Sequence, residues 1–256
     1  LLTYNARLKT ETRTKVTNLG IDNLEVHSYH SWAVKYIDSS CHTDRALQNF
    51  LQLPQKVKTM PYYDLIIIDE AQDLTPLYYK LVTYIYFAQP RHVNSGTRFC
   101  VVGDKYQSIY GFQNADPRMI TLANYLFNFN SNPAVEPKWS LANLSTSFRV
   151  SQEVAQFLNK CCLDYDRIHG HKLTGVKPRY LICDCFMGGA TQTNVERKQR
   201  NSTVYNEVLR YFALGYRPDD FFILAPSIRS SASPVRQLAN RLTLEGIDVY
   251  VPITDE

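Results

Sequence analysis

DLIIIDEAQD, residues 64–73, is the stretch on which the fold of this sequence turns. Four consecutive apolar residues, Leu65 to Ile68, read as a strand buried on both faces, as in a central parallel strand, which needs a neighbour on each side. The strand delivers two adjacent acids, Asp69 and Glu70, at its C-terminal end, the crevice where open α/β sheets bind ligands. In nucleoside triphosphate hydrolysis the first acid would hold Mg²⁺, usually through water, and the second would orient the attacking water or accept its proton. A strand can also simply end on two solvated acids, so the neighbouring sequence decides.

Downstream, FCVVGD at 99–104 repeats the design, a strand ending on Asp104 and running into KYQSIYGFQNAD. Gly103 is read as the residue that lets the backbone turn sharply, and Gln107 as an amide able to reach a γ-phosphate or its water. Tyr110 and Phe112 follow on a polar, Gly-containing loop, either as ordinary loop packing or as a platform for unpaired bases, since stacking tolerates any sequence. At 147–149 the triplet SFR leads into a helix beginning near Ser151. Arg149 there is either a surface charge or, if a second domain closes on a nucleotide, a stabiliser of charge on the transferring phosphoryl group, with Phe148 stacking on the base.

Short apolar or β-branched runs recur at Leu1–Tyr4, Leu24–Tyr29, Phe99–Val102, Tyr180–Cys183, Phe221–Leu224 and Asp248–Val251, with amphipathic stretches between several of them. That alternation predicts parallel α/β units. Thr75-Pro76, Asp116-Pro117 and Ser233-Pro234 each place a capping side chain before a proline suited to the first helical position. Leu77, Leu81, Val82 and Ile85 form one apolar stripe, Leu238 and Leu242 another, and Gly246 suits a C-terminal cap. Helices are also predicted over 151–163 and 203–214. The composition change over 130–146 marks the approach to a domain boundary, and 188–203 reads as a surface loop.

The 256 residues suffice for one large or two ordinary domains, and 45% hydrophobic with 20% charged residues is the composition of a globular protein, neither disordered nor fibrous. A net charge of +4 is too small to imply a polyanionic partner, although Arg7, Lys9, Arg13 and Lys15 make the first segment locally basic. Cys41, Cys100, Cys161, Cys162, Cys183 and Cys185 are irregularly spaced, which suits a reducing, intracellular compartment, cytoplasm or nucleus, better than a disulfide framework. With His169 and His171 the last four could be drawn as a metal cluster, but at no recognised zinc spacing. The triplets at Asn143 and Asn201 are glycosylation sequons of the kind chance supplies. No apolar run approaches the roughly 20 residues that span a bilayer. The opening LLTYN reads as a strand already in progress, which suggests an excerpt of a longer chain.

Taken in order, these stretches resemble the motifs of the UvrD/Rep/PcrA group of superfamily 1 DNA helicases. LLTYNARLK (1–9) is similar to that group's motif Ia, VHSYHSWA (26–33) to motif Ib, DEAQD (69–73) to motif II, VVGDKYQSIYGFQNAD (101–116) to motif III and LSTSFRVSQEV (144–154) to motif IV. DDFFILAPS (219–227), a helix and GIDVYVP (246–252) resemble a later strand, helix and strand. The resemblance implies an α/β, RecA-like P-loop NTPase fold: a parallel sheet flanked by helices, with residues 1–146 as the remainder of a first motor domain and 147–256 as the beginning of a second. It implies ATP and Mg²⁺ as cofactors and single-stranded DNA and duplex junctions as partners, in repair, recombination or replication, with movement 3′ to 5′. By position, Asp69 would serve Mg²⁺ with Glu70 on the catalytic water, Gln107 and Arg149 would contact the γ-phosphate, and Phe148 would pack on adenine. Asn5, Arg7, Tyr29, His30, Tyr110 and Phe112 would lie along the DNA strand.

Several departures bear on that reading. No Gly-rich loop ending in Lys and Ser or Thr occurs in the sequence, and no motif V or VI. Only about two dozen residues separate Ile37 from Tyr62, where the group usually inserts a helical subdomain. Gln113 stands where arginine is common. Without a phosphate-loop strand, the strand at 65–68 is expected to lack a neighbour and to leave backbone groups and apolar surface exposed, so that the chain by itself binds ATP poorly, is inactive and tends to aggregate. Two other readings stand beside the motor: a nucleic-acid-binding relative without catalysis, and the motor part of a helicase-nuclease.

Overall fold

Leu65–Ile68 form a strand in the computed structural model, which describes all residues except 54–59, 90–95, 130–138, 183–193, 226–227, 229, 231–232 and 252–256, with only the backbone of 194–203. The chain divides into two compact units, Leu1–Ala142 and Asn143–Glu256.

The first unit is built on four parallel strands: β1 (Leu2–Thr3), β2 (His27–Ser28), β3 (Leu65–Ile68) and β4 (Arg98–Val101), ordered β2-β1-β3-β4. β3 therefore has a neighbour on each side, contrary to the expectation that it would lack one. Asp69 N donates to Leu2 O at 3.0 Å from the β1 side, and β4 pairs with β3 through all four of its residues. Among the described residues, the outer edges of β2 and β4 pair with no further strand. Burial on both faces of β3 is also corrected. Ile66 and Ile68 are buried, whereas Leu65 is 46% exposed. In-register parallel residues point to the same face, so Phe99 and Val101 join Ile66 and Ile68, while Arg98 and Cys100 fall beside Leu65 and Ile67. An apolar run permits two-sided burial; coverage by other elements decides it, and here the second face is only partly covered.

The helices of this unit are α1 (Ala6–Asn18), α2 (Tyr29–Tyr36), α3 (Asp44–Gln52), α4 (Pro76–Phe87) and the single turns α5 (Arg118–Thr121) and α6 (Ala123–Leu126). Trp32 and Ala33 of α2, Leu47 of α3 and Leu81, Val82 and Ile85 of α4 form one core with Ile66 and Ile68. The stripe predicted on α4 is that buried face, and its N-terminus has the predicted cap, Thr75 Oγ1 accepting from Tyr78 N at 3.3 Å before Pro76. Asp116 instead binds its backbone two residues on, Oδ1 accepting from Arg118 N at 3.0 Å, with Pro117 in the cap position of α5.

At the N-terminal ends of β2 and β3, Glu25 gathers the phenols of Tyr36 (2.8 and 2.9 Å) and Tyr63 (3.2 Å), Lys35 (3.3 Å) and His27 (3.0 Å). Burial by itself would raise its pKa, but the hydrogen bonds from Tyr36, His27 and Lys35 outweigh it and hold the carboxyl down at about 2 rather than 4.5. A depressed carboxyl stabilises the fold above its unfolded pKa, and that contribution is lost as pH falls from about 4.5 towards 2. Because Glu25 is nearly half exposed, solvent screening reduces the effect. Glu25→Gln is expected to cost on the order of 1–2 kcal/mol at pH 7, with the difference from wild type closing across that window. Denaturant unfolding at a series of pH values checks both.

The second unit holds β5 (Thr146–Ser151) and β6 (His169–Lys172), parallel to each other, with α7 (Gln152–Leu158) and a π turn over Asn159–Leu163 between them, then α8 (Asn194–Ala213) and α9 (Pro234–Leu244). The helix predicted over 151–163 thus ends in a wider turn. Its Asn159 side chain accepts from Arg167 N and Ile168 N and donates to Ile168 O, fixing the entry to β6. α8 begins well before the predicted 203 and takes in 194–203, part of the stretch read as a loop. Tyr205 and Val208 of α8 pack with Leu238 and Leu242 of α9. Pro234 opens α9 without a side-chain cap bond from Ser233, and Gly246 closes it at φ 79°.

Three predicted strands are not formed. Residues 180–182, 221–224 and 248–251 pair with no strand among the described residues, and Cys183 lies outside them. Ile182, Phe222, Leu224 and Tyr250 are each 79% exposed or more. β-propensity makes a strand only where a partner edge is available, and none meets these segments.

Candidate functional site

The C-terminal ends of β1, β3 and β4 converge in the first unit. After β3 the chain turns at Glu70, a non-glycine residue in the left-handed region (φ 52°, ψ 46°), into a 3₁₀ turn over Ala71–Asp73. Such a backbone costs about 1–3 kcal/mol and persists where surrounding bonds over-determine it. Those bonds are Glu70 N to Asp69 Oδ1 (3.0 Å), Ala71 N to Val102 O (2.9 Å) and Asp73 N to Glu70 O (2.9 Å). Asp69 and Glu70 thus stand together, as the sequence implied. Burial first, and the Glu70 charge second, raise the pKa of Asp69. The same two causes, in the same order, push Asp73 up to about 6; this residue is 7% exposed and its Oδ1 has no hydrogen-bond partner among the described residues.

Gln72, to which the sequence assigned no role, is 2% exposed and joins the acids to the next strand end. Its Nε2 donates to Glu70 Oε2 at 2.7 Å and its Oε1 accepts from Asp104 N at 2.9 Å. Asp104 in turn accepts from Tyr106 N (3.0 Å) and from Gln107 Nε2 (3.0 Å). Gln107, an expected phosphate contact, is exposed and tied to Asp104. Gly103 is needed for a reason other than the sharp turn expected. Its φ is not positive, but a Cβ there would lie 2.5 Å from Gln72 Oε1 and 2.9 Å from Ala71 N. Close approach of two strand ends excludes a side chain.

Beside this lies an aromatic array. Tyr4, just past β1, stacks on Tyr110 (5.6 Å, 27°) and meets Tyr78 edge-on (6.4 Å), and Tyr110 neighbours Phe112 (5.9 Å), which is 78% exposed. Burial, then Asp73 and Tyr110, raise the pKa of the Tyr4 phenol, keeping it a donor. Tyr29 is 2% exposed and lies flat on Tyr78 at 4.5 Å. Expected along the DNA strand, it is buried, with Tyr78 covering one face of its ring. His30 Nε2 lies 3.0 Å from Asp44 Oδ1, outside hydrogen-bonding geometry, with Tyr78 edge-on at 5.6 Å. Asn5 caps α1, accepting from Leu8 N at 2.8 Å, and Arg7, largely solvent-exposed, pairs with Glu11.

Phe148 and Arg149 lie on β5 of the second unit. Arg149 is exposed, and Phe148, 70% exposed, stands 4.7 Å from the His171 ring. Gly170 lets the two strands touch, since a Cβ would fall 2.3 Å from Gln152 N. Cys41 is buried, Cys100, Cys161 and Cys162 are exposed thiols, and Cys183 and Cys185 lie outside the described residues. No group of three or more metal-binding side chains occurs among the described residues, and no described helix is long and apolar enough to cross a membrane.

A parallel sheet flanked by helices, with paired acids and an aromatic loop at its C-terminal strand ends, defines the first unit as an α/β domain, the class in which that edge is where ligands commonly bind. Residues 3–128 match the UvrD/REP helicase N-terminal domain family. Among curated proteins, the chain is 31% identical over 117 residues to an ATP-dependent helicase/nuclease subunit of Oenococcus oeni, covering 46% of this chain and 8% of that protein. It is 30% identical over 149 residues to F-box DNA helicase protein 1 of Schizosaccharomyces pombe, covering 57% and 15%. It is 33% identical over 98 residues to the exonuclease/helicase subunit RexA of Lactococcus lactis subsp. cremoris, covering 38% and 7%. The chain thus spans a small part of the length of these relatives.

Proposed function

We propose that this chain is part of an ATP-driven motor that moves along single-stranded DNA and unwinds duplex as it goes, with Leu1–Ala142 belonging to the first motor domain and Asn143–Glu256 to the second. The observation that carries this reading is the Gln72 bridge. It ties the Glu70 carboxylate to the root of the loop bearing Gln107, Tyr110 and Phe112, so the acids that would attend the nucleotide and the rings that would attend the strand share one hydrogen-bonded path. The family match over residues 3–128 and relatives named as DNA helicase and helicase/nuclease subunits support it.

Asp69 and Glu70 suit Mg²⁺. Neither is ion-paired with a cationic side chain among the described residues, and the pKa of Asp69 is raised first by burial and second by the Glu70 charge, both of which a bound cation would offset. Two carboxylates are what the protein commonly contributes to a Mg²⁺ ion completed by water and phosphate. Bound there, Mg²⁺ would supply charge neutralisation for phosphoryl transfer. On this reading Glu70 would orient water and take its proton, Gln107, now bonded to Asp104, and Arg149 would serve the γ-phosphate, and Phe148 would pack on adenine. Asn5, Arg7, His30, Tyr110 and Phe112 line the strand, with Tyr29 beneath it. The phosphate loop is to be supplied by sequence other than these 256 residues, which contain no such motif.

In the full-length protein, ATP hydrolysis is expected to be stimulated by oligo-dT, and a duplex with a 3′ single-stranded tail is expected to be unwound in preference to one with a 5′ tail. Oligo-dT binding without hydrolysis would instead identify a binding relative that has lost catalysis. The relatives named as helicase/nuclease subunits favour a second reading, in which the motor works with a nuclease; degradation of the displaced strand in the same assay separates the two.

A further inference from the structure

We propose that Tyr4 is a positioning residue that latches the aromatic loop in a base-accepting arrangement through its hydrogen bond to Gln113, and this rests on the strand-binding reading above. Tyr4 Oη donates to Gln113 Oε1 at 2.8 Å across 109 residues of sequence. Its ring lies on Tyr110. One side chain from the end of β1 thereby holds the loop at two points, a ring and an amide, while Gln72 holds the loop's root through Asp104 N. Between these anchors stand the loop's most exposed large hydrophobic side chains, Ile109 at 70% and Phe112 at 78%. Exposed rings on a loop fixed at both ends form a pre-ordered platform, whereas rings on a loose loop must be ordered when the ligand binds, at a cost in affinity.

The latch is itself supported. Tyr78 meets Tyr4 edge-on, stacks on buried Tyr29 and donates to Asp44 Oδ1 at 3.0 Å, so Tyr4 is backed by α2, α3 and α4. Asn114, directly after Gln113, takes φ 64°, a conformation asparagine tolerates, and closes the turn that presents the amide. Tyr4 also lies two residues beyond Leu2, whose carbonyl accepts from Asp69 N. The register that sets the first acid therefore sets the latch as well. Both partners of the bond are neutral, so the latch itself brings no charge toward a phosphate, and its effect is expected on stacking with unpaired bases.

The test measures affinity of the full-length protein for a dT oligonucleotide and for an abasic oligonucleotide of equal length, with Tyr4→Phe, Gln113→Ala and the double variant. Tyr4→Phe keeps the stacked ring and removes only the donor. Each single change is expected to weaken dT binding by about 3–10-fold, the worth of one hydrogen bond. The double variant should be no weaker than the singles, because both remove the same bond. Abasic binding should be unchanged. Wild-type dT affinity in Tyr4→Phe, multiplicative losses in the double variant, or equal loss on the abasic strand would each overturn the latch while leaving the strand-binding reading in place. A wild-type protein that binds dT no better than the abasic strand would overturn base stacking by this loop, and the latch with it.

Discussion

Glu70→Gln is expected to lower DNA-stimulated ATP hydrolysis by about 10²–10⁴-fold, the usual contribution of a positioned general base. The substitution isolates charge from shape. A glutamine at 70 can still accept from Gln72 Nε2, which now lies 2.7 Å from Glu70 Oε2, so the link to Asp104 survives. It occupies the same left-handed backbone position at the same strain. ATP and DNA affinity should therefore change little while kcat falls. The fold should not weaken, because the Glu70 charge contributes to the raised pKa values of Asp69 and Asp73. A carboxyl with a raised pKa destabilises the fold at pH above that value, and removing the neighbouring charge relieves both acids at neutral pH. Melting temperature measured beside kcat separates catalytic loss from structural loss. Hydrolysis at the wild-type rate would remove Glu70 from the chemistry and with it the motor reading.

Replacing Arg149 with alanine should have an effect of comparable or larger size, about 10³-fold in kcat, the lower end of what an arginine completing a phosphoryl-transfer site supplies. Arg149 is exposed on β5, so its removal should shift stability by no more than about 0.5 kcal/mol. Lysine at 149 should restore only part of the rate, since an ammonium cannot present the planar fork of a guanidinium to phosphate oxygens. Nucleotide affinity should fall less than kcat, as expected of a contact made mainly in the transition state. Hydrolysis by Arg149→Ala within twofold of wild type would leave Arg149 as the surface charge that its local sequence also allowed.

How much could be read from the chain is clearest at particular residues. The acids at 69 and 70, the helix cap at Thr75 and the buried face of α4 are local patterns, carried by a strand's end, a capping side chain and a helical period, and each stands where predicted. Gln72 and Tyr4 were invisible for the opposite reason. Gln72 bonds to a backbone group 32 residues away and Tyr4 to a side chain 109 away, and no spacing rule reaches that far. The surroundings of Tyr29 were equally out of reach, because an aromatic side chain beside polar neighbours looks the same in sequence whether it faces solvent or lies under Tyr78. Gly103 was correctly singled out for the wrong cause: the requirement is packing against Gln72 and not an unusual backbone angle.

By itself, then, the sequence determined the class of fold of the first unit and the order of its candidate chemical groups, because periodicity, caps and strand-end acids are properties of neighbouring residues. The tertiary structure decided which apolar runs became strands. Leu65–Ile68 found partner edges on both sides, whereas 180–182, 221–224 and 248–251 found none among the described residues. It also decided which aromatic rings are exposed and which are buried, and how the acids connect to the loop beside them. Hydrogen bonding and burial between segments distant in sequence settle these points, and they exist only once the chain has folded.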